Sequence, residues 1–312
     1  MPAAAKFWTA VLGAGALSGS LYLMVALGSS GALVLAYIAQ LPLFLVGLSA
    51  GLAASAMAGA LAAVVTLAVH GIPISAIFVI AFLLPVLVLV RQGLLSRTNQ
   101  AGETEWYPTG LLTGCLVGIG IAVAGLSVLF LATTGGAEQG VRTFVGRVFD
   151  AAMAAMPRGT PPMGREQAIN LMAGYLPGMA VASLLIMTAV NGVLAQGVLA
   201  RFGLNLRPSP DIATLDLPVA FVAVFAAALV AGAVLPGDLG FLARNLAPVV
   251  LIGGALAGLS VVHAAVRKLD ARTWMLVAVY LAATLLVWPI VILAAVGMAE
   301  PFLKLKRRLA GV

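Results

Sequence analysis

Of the chain's 312 residues, 62% are hydrophobic and 9% are charged, where a soluble domain carries about a quarter charged residues. That excludes a soluble globular domain, and the lack of alternating apolar and polar residues excludes a membrane barrel. The net charge of +7 would suggest nucleic acid on a soluble protein; here it reads as basic loops beside anionic headgroups, with the bilayer as partner and no nucleic acid.

Between Lys6 and Arg91 lie 84 residues without Asp, Glu, Lys or Arg. A helix needs roughly 20 apolar residues to cross about 30 Å of hydrocarbon, so this window must be divided. Turn-type sequence at Gly28-Ser29-Ser30-Gly31, Ser49-Ala50-Gly51 and His70-Gly71-Ile72-Pro73 predicts spans at 7–27, 32–48, 51–69 and 74–90. Lys6 before an apolar run, with small residues near Ser18–Ser20, has the outline of a cleaved signal. Apolar sequence resumes at once with Leu21-Tyr22-Leu23-Met24, so 7–27 is read as a retained first span.

A polar loop from Arg91 to Pro108 leads to a fifth span, 110–132. Residues 133–170 then form the one sizeable extramembrane segment. Within it Val141, Phe144, Val145, Val148, Phe149, Ala152 and Met156 recur on one helical face, with Arg142, Arg147 and Asp150 off it. This predicts an amphipathic helix over 137–156 lying in the interface. Further charge-free windows give spans at 171–200, 217–235, 246–266 and 273–299. The expected fold is an all-α polytopic transmembrane helical bundle of about nine spans, or eight if one is miscounted, forming a single integral membrane domain over 1–312.

The positive-inside rule weighs short loops most heavily. Lys6, Arg91, Arg97, Arg201, Arg207, Arg267, Lys268 and Arg272 therefore favour a cytoplasmic N-terminus. Nine spans would then put Lys304, Lys306, Arg307 and Arg308 on the far side, against the same rule.

No predicted span contains Asp, Glu, Lys or Arg. Titratable groups in a membrane are costly and functional by default, so their absence argues against a proton pump. It argues equally against an intramembrane protease or metalloenzyme: no catalytic residue, metal site or cofactor is expected. His70 and His263 fall near span ends, where a histidine is ordinarily solvated. Lone Cys115 can form neither an internal disulfide nor a cysteine metal site and reads as a small core residue. Gly118-Ile-Gly120 lies mid-span with no strand before it, so it is not a dinucleotide loop. Gly-xxx-Gly pairs, among them Gly15/Gly19, Gly47/Gly51, Gly114/Gly118, Gly174/Gly178 and Gly254/Gly258, suggest close helix packing.

Neutral amides remain: Gln40, Asn191 and Gln196 inside spans, Asn170 and Asn245 at helix starts. Amides in a bilayer usually join helices. Asn191 and Gln196 stand about 140° apart on the wheel, so at most one of them lines a pocket. Gln40 and Asn191, the deeper pair, are the candidate substrate-binding residues, and Gln196 is read as a tie between helices.

The second half carries a pattern. Arg201-Phe-Gly-Leu ends a long span and a short loop leads to Leu217-Pro218. Asn245-Leu-Ala-Pro-Val-Val and Gly258-Leu-Ser-Val-Val-His263 follow, then a basic turn and a last span ending in Gly297 before a basic tail. This resembles the YybS-like family of bacterial membrane proteins, with departures at Ala257, where that family has Gln, and at Ala299-Glu300-Pro301-Phe302. The resemblance implies a distant likeness to substrate-binding S components of energy-coupling-factor transporters. It further implies a multi-pass protein of the bacterial inner membrane that binds a small-molecule ligand, with an ATPase and a transmembrane coupling subunit as partners. The alternative is a non-catalytic membrane scaffold or regulator, with the amphipathic helix and basic tail as contact surfaces.

Overall fold

The computed structural model describes residues 3–24, 30–133, 135–155 and 164–310, nearly all of them helical. The elements in order are α1 (Ala3–Leu23), α2 (Ser30–Tyr37), α3 (Leu41–Ala50), α4 (Leu52–Ile77), a π-helical turn (Phe78–Leu83) and α5 (Leu84–Gly93). A hairpin of β1 (Ser96–Thr98) and β2 (Thr104–Trp106) precedes α6 (Thr109–Ala132), α7 (Ala137–Ala155) and α8 (Arg165–Arg201). Then come α9 (Ala220–Val234), α10 (Gly237–Val266), α11 (Arg272–Leu285), α12 (Trp288–Leu303) and α13 (Leu305–Ala310).

Nine spans do not follow from these helices. Among the described residues, four helical stretches are long and apolar enough to cross a membrane: Leu52–Gly93, Thr109–Ala132, Arg165–Arg201 and Gly237–Val266. A fifth is possible if α11 and α12, which meet at a 116° bend, act as one. The physical reason is that a charge-free window counts apolar residues and not straight helix. Segment 32–48 is cut by a turn into helices of 8 and 10 residues, about 12 and 15 Å long. Segments 51–69 and 74–90 run on as one stretch of 42 residues. There His70-Gly71-Ile72-Pro73 makes a kink instead of a turn, with Gly71 at φ 76°, ψ −174° inside the helix. Segment 217–235 yields only the 15 residues of α9.

The chain divides into two compact units. The first joins Met1–Leu116 with Leu184–Leu215. Its core is built from Val11, Leu43, Phe44, Phe78, Val86, Val90 and Ala195, all buried. Here α1 lies close on α4: a Cβ on Gly15 would stand 2.5 Å from the Ala58 carbonyl oxygen, which confirms the close-packing reading of that pair. The polar loop after Arg91 contains the unanticipated hairpin, with Arg97 opposite Glu105 and their side chains bridged at 2.8 Å. The Asn99 carboxamide oxygen closes its turn by accepting from the backbone N–H of Ala101 and Glu103.

The second unit joins Val117–Ser183 with Asp216–Val312. Gly254, Gly258 and Gly297 let α10 and α12 touch at the backbone; a Cβ on Gly297 would stand 2.0 Å from the Gly254 oxygen. Gly118, by contrast, faces open space. In α7, Val141 and Val145 pack with Ile169, Ala173 and Phe241, while Phe144 (59% exposed) and Val148 (50%) do not; Met156 lies outside the described residues. The basic tail is tied down as well: Lys306 Nζ lies 2.5 Å from Asp216 Oδ1.

Candidate functional site

The first unit holds the two amides singled out by the sequence. They meet at one feature, the interruption between α2 and α3. Pro42, early in α3, has no N–H to give to the Ile38 carbonyl four residues back, and its ring would crowd that carbonyl in a continuous helix. The chain tightens instead: Ile38 N donates to Leu35 O, Ala39 N to Ala36 O, and Leu41 N to Ile38 O at 3.0 Å. The break then draws in side chains from other helices. Ser18 of α1 donates its hydroxyl to Ala39 O at 2.7 Å, and Asn191 of α8 donates Nδ2 to Tyr37 O at 2.7 Å.

Gln40 is fully buried and Asn191 is 2% exposed. The Gln40 amide nitrogen donates to Phe82 O at 3.1 Å. Phe82 sits in the π-helical turn, and Pro85, a second residue with no N–H, follows it. Asn191 Nδ2 also donates to Met187 O at 2.8 Å. Both amides are thus oriented by carbonyls at their nitrogen ends. Their oxygens, Gln40 Oε1 and Asn191 Oδ1, are buried and accept nothing; Gln92 Oε1 is the third such atom among the described residues. Each amide therefore leaves an uncharged acceptor buried in the apolar core, Gln40 within the proline-marked break and Asn191 with its nitrogen end on that break. Such an arrangement can bind a hydrogen-bond donor or a cation and would repel an anion.

The other amides have different work. Gln196 donates Nε2 to Arg207 O at 2.7 Å, tying α8 to the loop that follows it. Asn245, in the second unit, lies well inside α10 and not at its start, because that helix begins at Gly237. Arg244, the residue before it, is held by Glu138 at 2.7 Å and Gly232 O at 3.3 Å. His70 is exposed. His263 is half-buried, with Nδ1 2.9 Å from Leu259 O and Nε2 3.5 Å from the Tyr280 hydroxyl. Cys115 stands 3.9 Å from the Tyr107 hydroxyl.

Sequence reasoning missed Arg207. It lies in a loop yet is only 8% exposed. Its guanidinium donates to Gly93 O at 3.0 Å and Tyr107 O at 2.9 Å, and it lies over the Trp106 ring. Burial draws its pKa below the ordinary arginine value. No local signal marks this role, since its partners are about a hundred residues away.

One family model matches residues 18–299, that of a family described as "Predicted membrane protein (DUF2232)". No curated protein and no solved structure matches the chain.

Proposed function

The chain belongs to the DUF2232 family of predicted membrane proteins, and on that premise we propose that it is a solute-binding membrane subunit resembling the S components of energy-coupling-factor transporters. In this reading it is not an enzyme. It sits in a bacterial inner membrane with a cytoplasmic N-terminus, receives a small molecule at the α2–α3 break, and relies on an ATPase and a transmembrane coupling subunit for energy. The observation that carries the proposal is the pair of buried, unpartnered oxygens on Gln40 and Asn191 at that break. Interrupted helices are where membrane carriers place their binding sites, and orphan acceptors in an apolar interior are costly unless something meets them.

Affinity purification in mild detergent tests it: an ATPase and a coupling subunit should come down with the chain. Uptake should survive a protonophore while ATP is held constant and should stop when ATP is depleted. A chain that purifies without either partner, with uptake that collapses on protonophore addition, would overturn the proposal. The exposed Phe144 and Val148 on α7 favour a second reading, a scaffold that presents this helix to the interface or a partner. That reading gains if no solute binds while other membrane proteins are retained.

A further inference from the structure

We propose that the Ile38–Gln40 break holds a monovalent metal cation of sodium's size, coordinated by Gln40 Oε1 and Asn191 Oδ1 with the adjoining main-chain carbonyls. This rests on reading the break as a ligand site, and it names one occupant. Polarity favours a cation. Both amide nitrogens are already bound to carbonyls, Asn191 to Tyr37 O and Met187 O and Gln40 to Phe82 O. Turning either amide over would set oxygen against oxygen, so the side chains can offer only acceptors.

Charge favours a monovalent ion. Residues 7–90 and 167–200 contain no Asp, Glu, Lys or Arg, so both walls of the break are neutral. Divalent calcium and magnesium are normally held by carboxylates, and zinc by histidine and cysteine. No group of three His, Cys, Asp or Glu gathers anywhere among the described residues. A neutral set of hard oxygens suits a singly charged hard cation. The local field favours positive charge as well. The C-terminal end of α2 points at the break and carries partial negative charge, and unwound carbonyls at the ends of half-helices are established coordinators of sodium in membrane carriers. The Ile38, Ala39 and Gln40 carbonyls accept from Leu41 N, the Ser18 hydroxyl and Phe44 N, and a carbonyl oxygen carries a second lone pair.

The test is thermal unfolding of the full chain in detergent at pH 8, with sodium, potassium or choline chloride at equal ionic strength. Sodium should raise Tm by about 5 °C over choline in a saturable way. Gln40→Leu and Asn191→Leu should abolish that increment, and Asn191→Asp should lower the sodium concentration needed by roughly tenfold. An equal response to sodium and choline in the wild-type chain would overturn the proposal, as would a sodium response that persists in Asn191→Leu or weakens in Asn191→Asp. Should the leucine variants not fold, the wild-type ion comparison and Asn191→Asp decide alone. A solute that stabilises the chain equally in choline and sodium would remove the cation and leave the solute site standing.

Discussion

Asn245 uses both ends of its amide on the backbone of a neighbouring helix. Its Oδ1 accepts from Gly178 N at 2.7 Å, and its Nδ2 donates to Gly174 O at 3.1 Å and Phe241 O at 2.9 Å. Gly178 follows Pro177, which has no N–H to give to the helical ladder, and the Asn245 amide bridges Gly178 N and Gly174 O beside it. Asn245→Leu should therefore remove three buried hydrogen bonds and cost about 2–4 kcal/mol. Asn191→Leu removes two donor bonds, to Tyr37 O and Met187 O, but orphans no N–H, and should cost about 1–2 kcal/mol. Thermal unfolding of the two variants checks the order. Gln40 and Asn191 were legible as deep polar positions because amides are rare in charge-free windows. The difference between Asn191 and Asn245 was not, because it depends on which carbonyls lie across the interface.

The interrupted elements follow the same physics over longer reach. Glycine pairs in the sequence foretold close packing at Gly15, Gly178 and Gly254/Gly258, and failed at Gly51, Gly118 and Gly174, since spacing says nothing about whether a helix faces a neighbour. Gly297→Val would drive a side chain into the Gly254 backbone, which cannot give way as a flexible side chain could. We expect a loss of about 1–3 kcal/mol, read as a lowered Tm, while Gly118→Val should leave it nearly unchanged. Outside the spans, α7 is tied to the start of α8 by Arg165–Asp150 at 2.7 Å and Arg142–Glu166 at 2.8 Å. The hydrogen bond from Arg165, and secondarily its charge, hold the Asp150 carboxyl below the usual carboxylate range. A depressed pKa gives stability that is present above the unfolded-state value and is lost as pH falls through the folded one. Hydrogen exchange across Ala137–Ala155, corrected for intrinsic rate, should accelerate as pH falls below about 4. Asp150→Asn should flatten that dependence; an unchanged pH profile in the variant would reject the assignment.

For the molecule as a whole, composition made the membrane environment plain, and the family match agrees with it. The span count was not readable, because prolines and glycines break or bend helices without introducing any charge. The Lys306–Asp216 pair bears on the side of the tail. Nine spans would separate Lys304–Arg308 from the loop after Arg201, yet Lys306 lies against Asp216 at the end of that loop. A reporter fused after the tail should therefore read the same face as one at Ser209; opposite faces would mean that the Lys306–Asp216 pair does not form. A reporter at Gly159, outside the described residues, should read the opposite face from Ser209.

A ligand that enters the α2–α3 break from water requires that break to open, and cysteine accessibility detects the opening whatever the ligand. In a Cys115→Ser background, Gln40→Cys, Asn191→Cys and Asn245→Cys would be treated in native membranes with a small cationic methanethiosulfonate reagent. The cysteines at 40 and 191 should be modified, because that site must open to a cationic or donor-bearing guest, and the one at 245, where the amide is purely structural, should not. Cysteines at 40 and 191 as inert as the one at 245 would contradict that opening.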